Sequence, residues 1–336
     1  MKSNSIYKNF NFMLLWAGQS VTQLGTRFYN IAIMWYILEK TGSSLAMGIS
    51  VLCFTLPTVI FGPIGGVLAD RYDKKKIIVI TDAINGLIML ILSYFIAKSS
   101  ISIYALYGIM ALSASVSAFF NPAISSSIPL IVEENHLTKA NSLTQFTSRL
   151  VSILGPALAG ILIAITSMWL LFFINGISYI VSSATEMLIT IPTVVGKMKE
   201  KNYFVKQLKE GLECVLKNKP LLYLVIVGGV VINFFLAPLT IFAALISYNL
   251  GRGSAGLGLI ESFIAFGALI GTLIILMGVL KNKFRMSIAG LIIEGLALVG
   301  FGLFIHHFYS ILIFMFLLGL GVAMASVGIS TLYQVI

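Results

Sequence analysis

From Phe10 to Leu38 the chain carries one charged side chain, Arg27, and long apolar stretches recur from there to Ile336. A helix needs about 20 apolar residues to cross a hydrocarbon core of about 30 Å. Reading for such runs between charged or turn-rich breaks predicts ten spanning helices. They lie at 11–38, 45–69, 77–97, 101–130, 141–166, 168–190, 220–249, 255–280, 287–305 and 309–336. Only 10% of the residues are charged, where an ordinary soluble domain has about 25%. Mean hydropathy is +1.00, so the exterior has to meet lipid rather than water. The first run is too long for the apolar core of a cleavable signal and has no small-residue exit site, so it is read as a spanning helix. Pro57, Pro63, Pro122, Pro156 and Pro238 interrupt the runs, which membrane helices tolerate when neighbours re-satisfy the freed backbone groups.

The net charge of +10 would suggest nucleic acid in a soluble protein. Here the basic residues sit in short loops, so no nucleic-acid partner is expected. With the N-terminus placed in the cytoplasm, the cytoplasmic segments hold seventeen of the 22 Lys and Arg residues. Lys40, Lys98 and Arg252 fall outside, and Arg27 and Arg149 fall within helices. Cytoplasmic loops of membrane proteins are enriched in Lys and Arg, so both chain ends are expected inside a bacterial plasma membrane.

Residues 191–219 form the one long polar segment. Its second part, Lys199 to Lys219, reads either as an amphipathic helix on the basic membrane face or as a solvated linker. On either side of it the chain repeats itself. TGSSLAMGIS (41–50) aligns with GRGSAGLGLI (251–260) at an offset of 210, and GVLADRYDKKK (66–76) with GVLKNKFRMSI (278–288) at 212. The second offset sets Glu294 opposite Asp82. This predicts an all-α transmembrane protein of two pseudo-symmetric bundles, 1–190 and 220–336, joined by the basic linker 191–219. The seventh to tenth runs then repeat the first to fourth. The expectation is a twelve-helix plan of which ten helices are present, with the chain stopping short at its C-terminus.

Cys53 and Cys214 have no metal-ligand or redox spacing, so no metal, cofactor or disulfide is expected. His136, His306 and His307 make no catalytic constellation, and no phosphate-binding loop occurs. An enzyme or an ATP-driven pump is therefore not expected.

After the second run stand Gly66-Val67-Leu68-Ala69-Asp70-Arg71-Tyr72-Asp73-Lys74-Lys75-Lys76. This stretch resembles the loop 2–3 signature of the major facilitator superfamily, G-x-L-a-D-r-x-G-r-[KR]. Gly66 is expected to let helices approach closely. Asp70 with Arg71, Lys74 and Lys75 would form a charge cluster able to lock or release the cytoplasmic face. Asp73 replaces the motif's glycine and is expected to tolerate a left-handed turn. Three further stretches resemble the drug and macrolide exporter branch, which also holds siderophore exporters: WAGQSVTQLGTRFYNIAIMWYIL, FFNPAISSSIPLIVEENHLTKANSL and ILGPALAG. In the last, Gly155, Pro156 and Gly160 are similar to the antiporter motif of helix 5, with Ala159 where glycine is usual. Two departures stand out. Gly25 is followed by Thr26 and Arg27 where the branch often has an acidic residue, and Asn282 occupies the place of Asp70 in the second half.

The resemblance implies a secondary transporter that exports amphipathic drug-like or macrolide-like molecules by alternating access, in exchange for protons. A siderophore or other metabolite exporter and an inactive remnant are the alternatives. The implied partners are a hydrophobic or amphipathic small molecule, protons and the bilayer, with the chain working as a monomer. Six ionisable residues lie inside apolar runs: Arg27, Asp82, Arg149, Glu186, Glu261 and Glu294. Such residues are costly in lipid and mark pathways or buried pairs. Depth along the runs makes Arg27, Glu261 and Glu294 the leading coupling or substrate candidates, with Asp82 beside them. Asp82, Arg149 and Glu186, closer to the cytoplasmic ends, are read first as ion pairs or gate contacts. Phe28, Tyr29, Phe119, Phe120, Phe234 and Phe235 are candidates to receive an amphipathic compound.

Overall fold

A computed structural model describes residues 6–192, 238–277 and 283–333, with 213, 216–224, 226, 234 and 236. Its long elements are all helices. They are α1 Phe10–Thr41, α2 Ser44–Arg71, α3 Lys74–Ala97, α4 Ile103–Ile131, α5 Leu137–Ile165, α6 Met168–Met187, α7 Lys219–Leu224, α8 Leu239–Asn249, α9 Gly253–Leu276, α10 Lys283–Leu303 and α11 Phe308–Tyr333. Among the described residues, eight of these, α2 to α6 and α9 to α11, are long and apolar enough to cross a membrane. α1, 32 residues long, is not among the eight because its polar side chains lower its hydropathy. The seventh expected run is described only in part, as α7 and α8. Most of 199–219, with the expected amphipathic helix, lies outside the described residues.

Local chemistry sets the helix ends. Asn9 caps α1 by accepting from the Phe12 N–H, and its own Nδ2 donates to the Ile131 carbonyl at 2.7 Å. That second bond ties the start of α1 to the end of α4. α1 stops at Gly42, whose left-handed φ of 60° and N–H bond to the Leu38 carbonyl close the helix. Ser43 then caps α2, so two spanning helices meet in a very short turn.

The loop 2–3 motif differs from expectation at three positions. Asp73 is not left-handed: at φ −61°, ψ 109° it caps α3, accepting from the Lys75 and Lys76 N–H groups. A carboxylate there complements the positive end of the helix dipole. Gly66 is not the close-approach glycine, since a Cβ built there meets open space. A Cβ on Gly65 would lie 2.5 Å from the Ala118 carbonyl oxygen and 3.0 Å from Phe119 Cα of α4. One residue turns a helix by about 100°, which moves the contact from one glycine to its neighbour. Asp70 is exposed and makes no ion pair with Arg71, Lys74 or Lys75. Lys74 instead donates from Nζ to the Ala69 carbonyl at 2.6 Å, satisfying the C-terminal end of α2.

The chain divides into two compact units, residues 1–151 with 162–199, and 152–161 with 200–336. In the first, α6 packs against α1 and α3, and α4 against α2 and α3. Small residues permit these contacts. Cβ atoms on Gly18 and Gly25 of α1 would press on Thr185, Ser178 and Asn175 of α6, and Gly86 and Gly176 do the same between α3 and α6. Exposed Leu52, Leu56, Val59 and Ile60 of α2 and Leu87 and Ile91 of α3 face outward, as lipid-contacting surfaces should. In the second unit α11 packs against both α9 and α10, and α8 against α9. Backbone-to-backbone contacts at Gly267 and Gly319 (α9–α11) and at Gly290 and Gly321 (α10–α11) bring these helices close. The helix 5 motif belongs to this unit. A Cβ on Gly160 would lie 2.6 Å from the Ser254 carbonyl oxygen, and Ser254 Oγ donates to the Gly160 carbonyl at 3.1 Å.

Candidate functional site

Helix α1 carries a polar stripe inside an apolar segment: Gln19, Thr22, Gln23, Thr26, Arg27 and Asn30. Steps of three and four residues place them on one face of a helix. In the structure that face borders a cavity of about 610 Å³ inside the first unit, within the size range of small-molecule sites. The other walls repeat the pattern. Asp82 and Asn85 come from α3, Ser113, Ser117 and Asn121 from α4, Thr144, Thr147 and Ser148 from α5, and Asn175 and Tyr179 from α6. Phe54, Tyr29, Met89, Phe120 and Ile124 supply the apolar part. Hydrogen bonds lock the walls together. Trp16 Nε1 donates to Thr147 Oγ1 at 3.1 Å and Ser148 Oγ to Gln23 Oε1 at 2.7 Å. Ser113 Oγ donates to Asn85 Oδ1 at 2.9 Å, and Asn85 Nδ2 to Ser117 Oγ at 3.2 Å.

At one end of this cavity two carboxylates share a single amide. Gln19 Nε2 lies 2.7 Å from Glu186 Oε1, 3.5 Å from Asp82 Oδ2 and 3.2 Å from Ser182 Oγ. Ser182 Oγ also donates to Glu186 Oε1 at 3.3 Å, while Glu186 Oε2 is buried without a hydrogen-bond partner. Asp82 and Glu186 are 1% and 2% exposed. Among the described residues no Lys, Arg or His nitrogen lies within 4.0 Å of either carboxylate. The ion-pair reading of these two residues is therefore replaced by a like-charged pair held through a neutral donor. Two carboxylates this close, with no cation among the described residues within 4.0 Å, repel each other whenever both are charged.

The other sequence candidates are dispersed. Arg27 lines the cavity, is exposed to it, and makes no ion pair among the described residues. A charged side chain at a helix centre in lipid costs roughly +2.5–3.5 kcal/mol on insertion scales, so a cavity-facing position is the one it can occupy. Glu294 lies in the second unit, 5% exposed, its Cγ and backbone packed close to Gly321 of α11. Glu261 lies on α9, partly buried. Tyr29 and Phe120 line the cavity, Phe28 and Phe119 do not, Phe234 is exposed, and Phe235 lies outside the described residues. The polar stripes of α1 and α4 were the missed signal. Their period is visible in the sequence once each apolar run is searched for polar residues at helical spacing.

The sequence profile of the Major Facilitator Superfamily matches residues 15–336. A macrolide efflux protein A of Streptococcus pyogenes is 28% identical over 337 aligned positions, covering 98% of this chain and 82% of its own. One of Enterococcus faecalis is 27% identical over 300 positions, covering 87% of this chain and 91% of its own. Among solved structures, an inward-facing bacterial homologue of the iron transporter ferroportin aligns with a TM-score of 0.66 at 16% identity. That alignment covers 98% of this chain and 84% of that one. A bacterial homologue of the human lysosomal transporter Spinster, inward-facing and unoccupied, aligns with a TM-score of 0.69 at 15% identity. Its alignment covers 99% of this chain and 80% of that one. At these identities the structures speak for the fold alone.

Proposed function

The chain belongs to the Major Facilitator Superfamily, a family of multi-pass membrane transporters, and on that premise we propose that it exports amphipathic small molecules in exchange for protons by alternating access. The observation that carries the proposal is the cavity of the first unit, a chamber of about 610 Å³ that brings polar side chains from five helices together with apolar ones. The similarity to macrolide efflux proteins supports an exporter of drug-sized compounds. The polar walls equally suit a metabolite rich in hydroxyl and amide groups, which keeps the siderophore or other metabolite exporter as the second reading. In this reading the basic loops place both described chain ends in the cytoplasm of a bacterial cell, and the monomer is the working unit.

Alternating access needs the chamber to open to one side at a time, with coupling ions bound near substrate. We assign the proton to the Asp82–Gln19–Glu186 cluster, because one proton relieves the repulsion between its carboxylates. Of the helix 5 motif, Pro156 and Gly160 contribute the tight seating of α5 on α9. Gly66, Asp70 and Arg71 in the last turns of α2 and Lys74 and Lys75 in the first turn of α3 flank a basic turn, which in this proposal moves with the gate.

The direct test is efflux of a fluorescent amphiphile from vesicles carrying the full chain, with and without a proton gradient. Gradient-dependent movement, lost on adding a protonophore, is expected; movement indifferent to the gradient refutes coupling, and none at all favours an inactive remnant. Glu294 stands opposite Asp82 in the internal repeat, and Glu294→Gln should lower gradient-driven efflux without lowering the amount of folded protein in the membrane. Unchanged efflux in that variant leaves the second unit without a coupling role at this position.

A further inference from the structure

The walls of the cavity are not electrically balanced. Asp82 borders it, but is 1% exposed and its Oδ2 lies against the Gln19 amide. Glu186 is not part of the lining. Arg27 is, and among the described residues no carboxylate lies within 4.0 Å of it. A neutral group leans the same way. Gln23 spends its Oε1 on Ser148, which leaves its amide N–H groups for the cavity.

We propose that the cavity binds amphiphiles carrying an anionic head, of carboxylate type, seated on Arg27, with the Gln23 amide as a neutral donor along the same ligand. The proposal rests on reading this cavity as the substrate chamber. A guanidinium presents a planar fork of donors that matches a carboxylate in two parallel hydrogen bonds. In a low-dielectric chamber the same charge repels a cationic head, because a water-poor site weakens screening. Phe54, Phe120 and Ile124 are then left to take the apolar tail. The headgroup of an anionic lipid offers the same chemistry as a soluble carboxylate, so the test has to separate them.

Two dansyl probes of opposite charge make the test: dansyl-11-aminoundecanoic acid and dansylcadaverine, titrated onto the detergent-solubilised full chain. The acid should bind about tenfold or more tightly than the amine. Arg27→Gln should weaken the acid by about tenfold or more, and Arg27→Lys by less, since it keeps the charge and loses the fork. Equal binding of both probes, or acid binding unchanged in Arg27→Gln, overturns the proposal. Circular dichroism and gel filtration of both variants separate lost binding from lost folding, and the lysine variant carries the test if glutamine does not fold. Ser117→Trp, which fills the chamber, should abolish binding of the acid; binding that survives it places the probe elsewhere and overturns the chamber reading itself. Displacement by phosphatidylglycerol but not phosphatidylcholine assigns the anion to a lipid headgroup, and displacement by decanoate alone to a soluble carboxylate. Either arm upholds an anion on Arg27.

Discussion

Replacing Asp82 by asparagine is expected to abolish the gradient-driven part of efflux while leaving substrate exchange across the membrane intact. One nitrogen of Gln19 lies within 3.5 Å of both carboxylate oxygens. The two groups are thus close enough that two full charges would repel by roughly 3 kcal/mol or more at an effective dielectric of about 20. No cation among the described residues lies within 4.0 Å of either carboxylate. A proton on one carboxylate removes the repulsion, and its departure restores it. That difference is what a transporter needs in order to link proton binding to a change of state. Asparagine removes the titrating group and keeps the shape. Glu186→Gln should give the same loss, and Gln19→Leu, which deletes the shared donor, should alter the pH at which efflux responds rather than abolish it. The measurement is efflux in vesicles at a fixed pH gradient, beside exchange of labelled for unlabelled substrate without one. Wild-type gradient-driven rates in Asp82→Asn would refute the assignment; loss of exchange as well would mean that Asp82 acts on substrate or structure instead.

The second large effect is a contrast between adjacent glycines. Gly65→Ala should destabilise the protein by about 1–3 kcal/mol, the range for overpacking a tight contact. Its methyl would meet the backbone carbonyl of Ala118 at 2.5 Å and Phe119 Cα at 3.0 Å, and backbone cannot swing aside as a flexible side chain can. α4 would have to move away from α2, taking Ser117 and Phe120 of the cavity wall with it. Gly66→Ala enters open space and should be neutral or stabilising by about 0.5–1 kcal/mol, because alanine loses less backbone freedom than glycine in a helix. Thermal aggregation in detergent, followed by gel filtration, measures both. Equal effects at 65 and 66 would contradict the assigned helix faces.

Much of the fold is legible along the chain because the bilayer imposes one rule on every crossing: backbone groups must be satisfied within the helix, and side chains must suit lipid. That rule leaves long apolar runs whose ends are written in Asn9, Gly42, Ser43 and Ser102. The expected runs and the helices agree closely in the first unit. The largest shift is at α5, which begins at Leu137 rather than 141. Thr138 and Lys139 are helical but polar, so hydropathy passes over a turn that hydrogen bonding includes. The cavity was half legible. The spacing of Gln19, Thr22, Gln23, Thr26, Arg27 and Asn30 already marks a wet face on α1, and that stripe lies along the run taken simply as apolar.

The tertiary structure alone decided which side chains meet. Asp82 and Glu186 lie on helices far apart in the chain, and neither is marked in sequence as the other's partner. Their meeting depends on α6 packing against α1 and α3 through Gly18, Gly25, Gly86 and Gly176. The same holds for Gly65 over Gly66, and for Asp73 as a cap rather than a left-handed turn. Hydropathy sums over a helix and so survives small errors of rotation. Contacts depend on which face each residue presents and on what stands opposite, and a single residue changes that face by about 100°. The sequence by itself therefore determined that this chain crosses a membrane many times and which of its helices are wet. Close packing of small residues between helices determined that the wet faces enclose one chamber, with a cation on its wall and two carboxylates on one shared amide beside it.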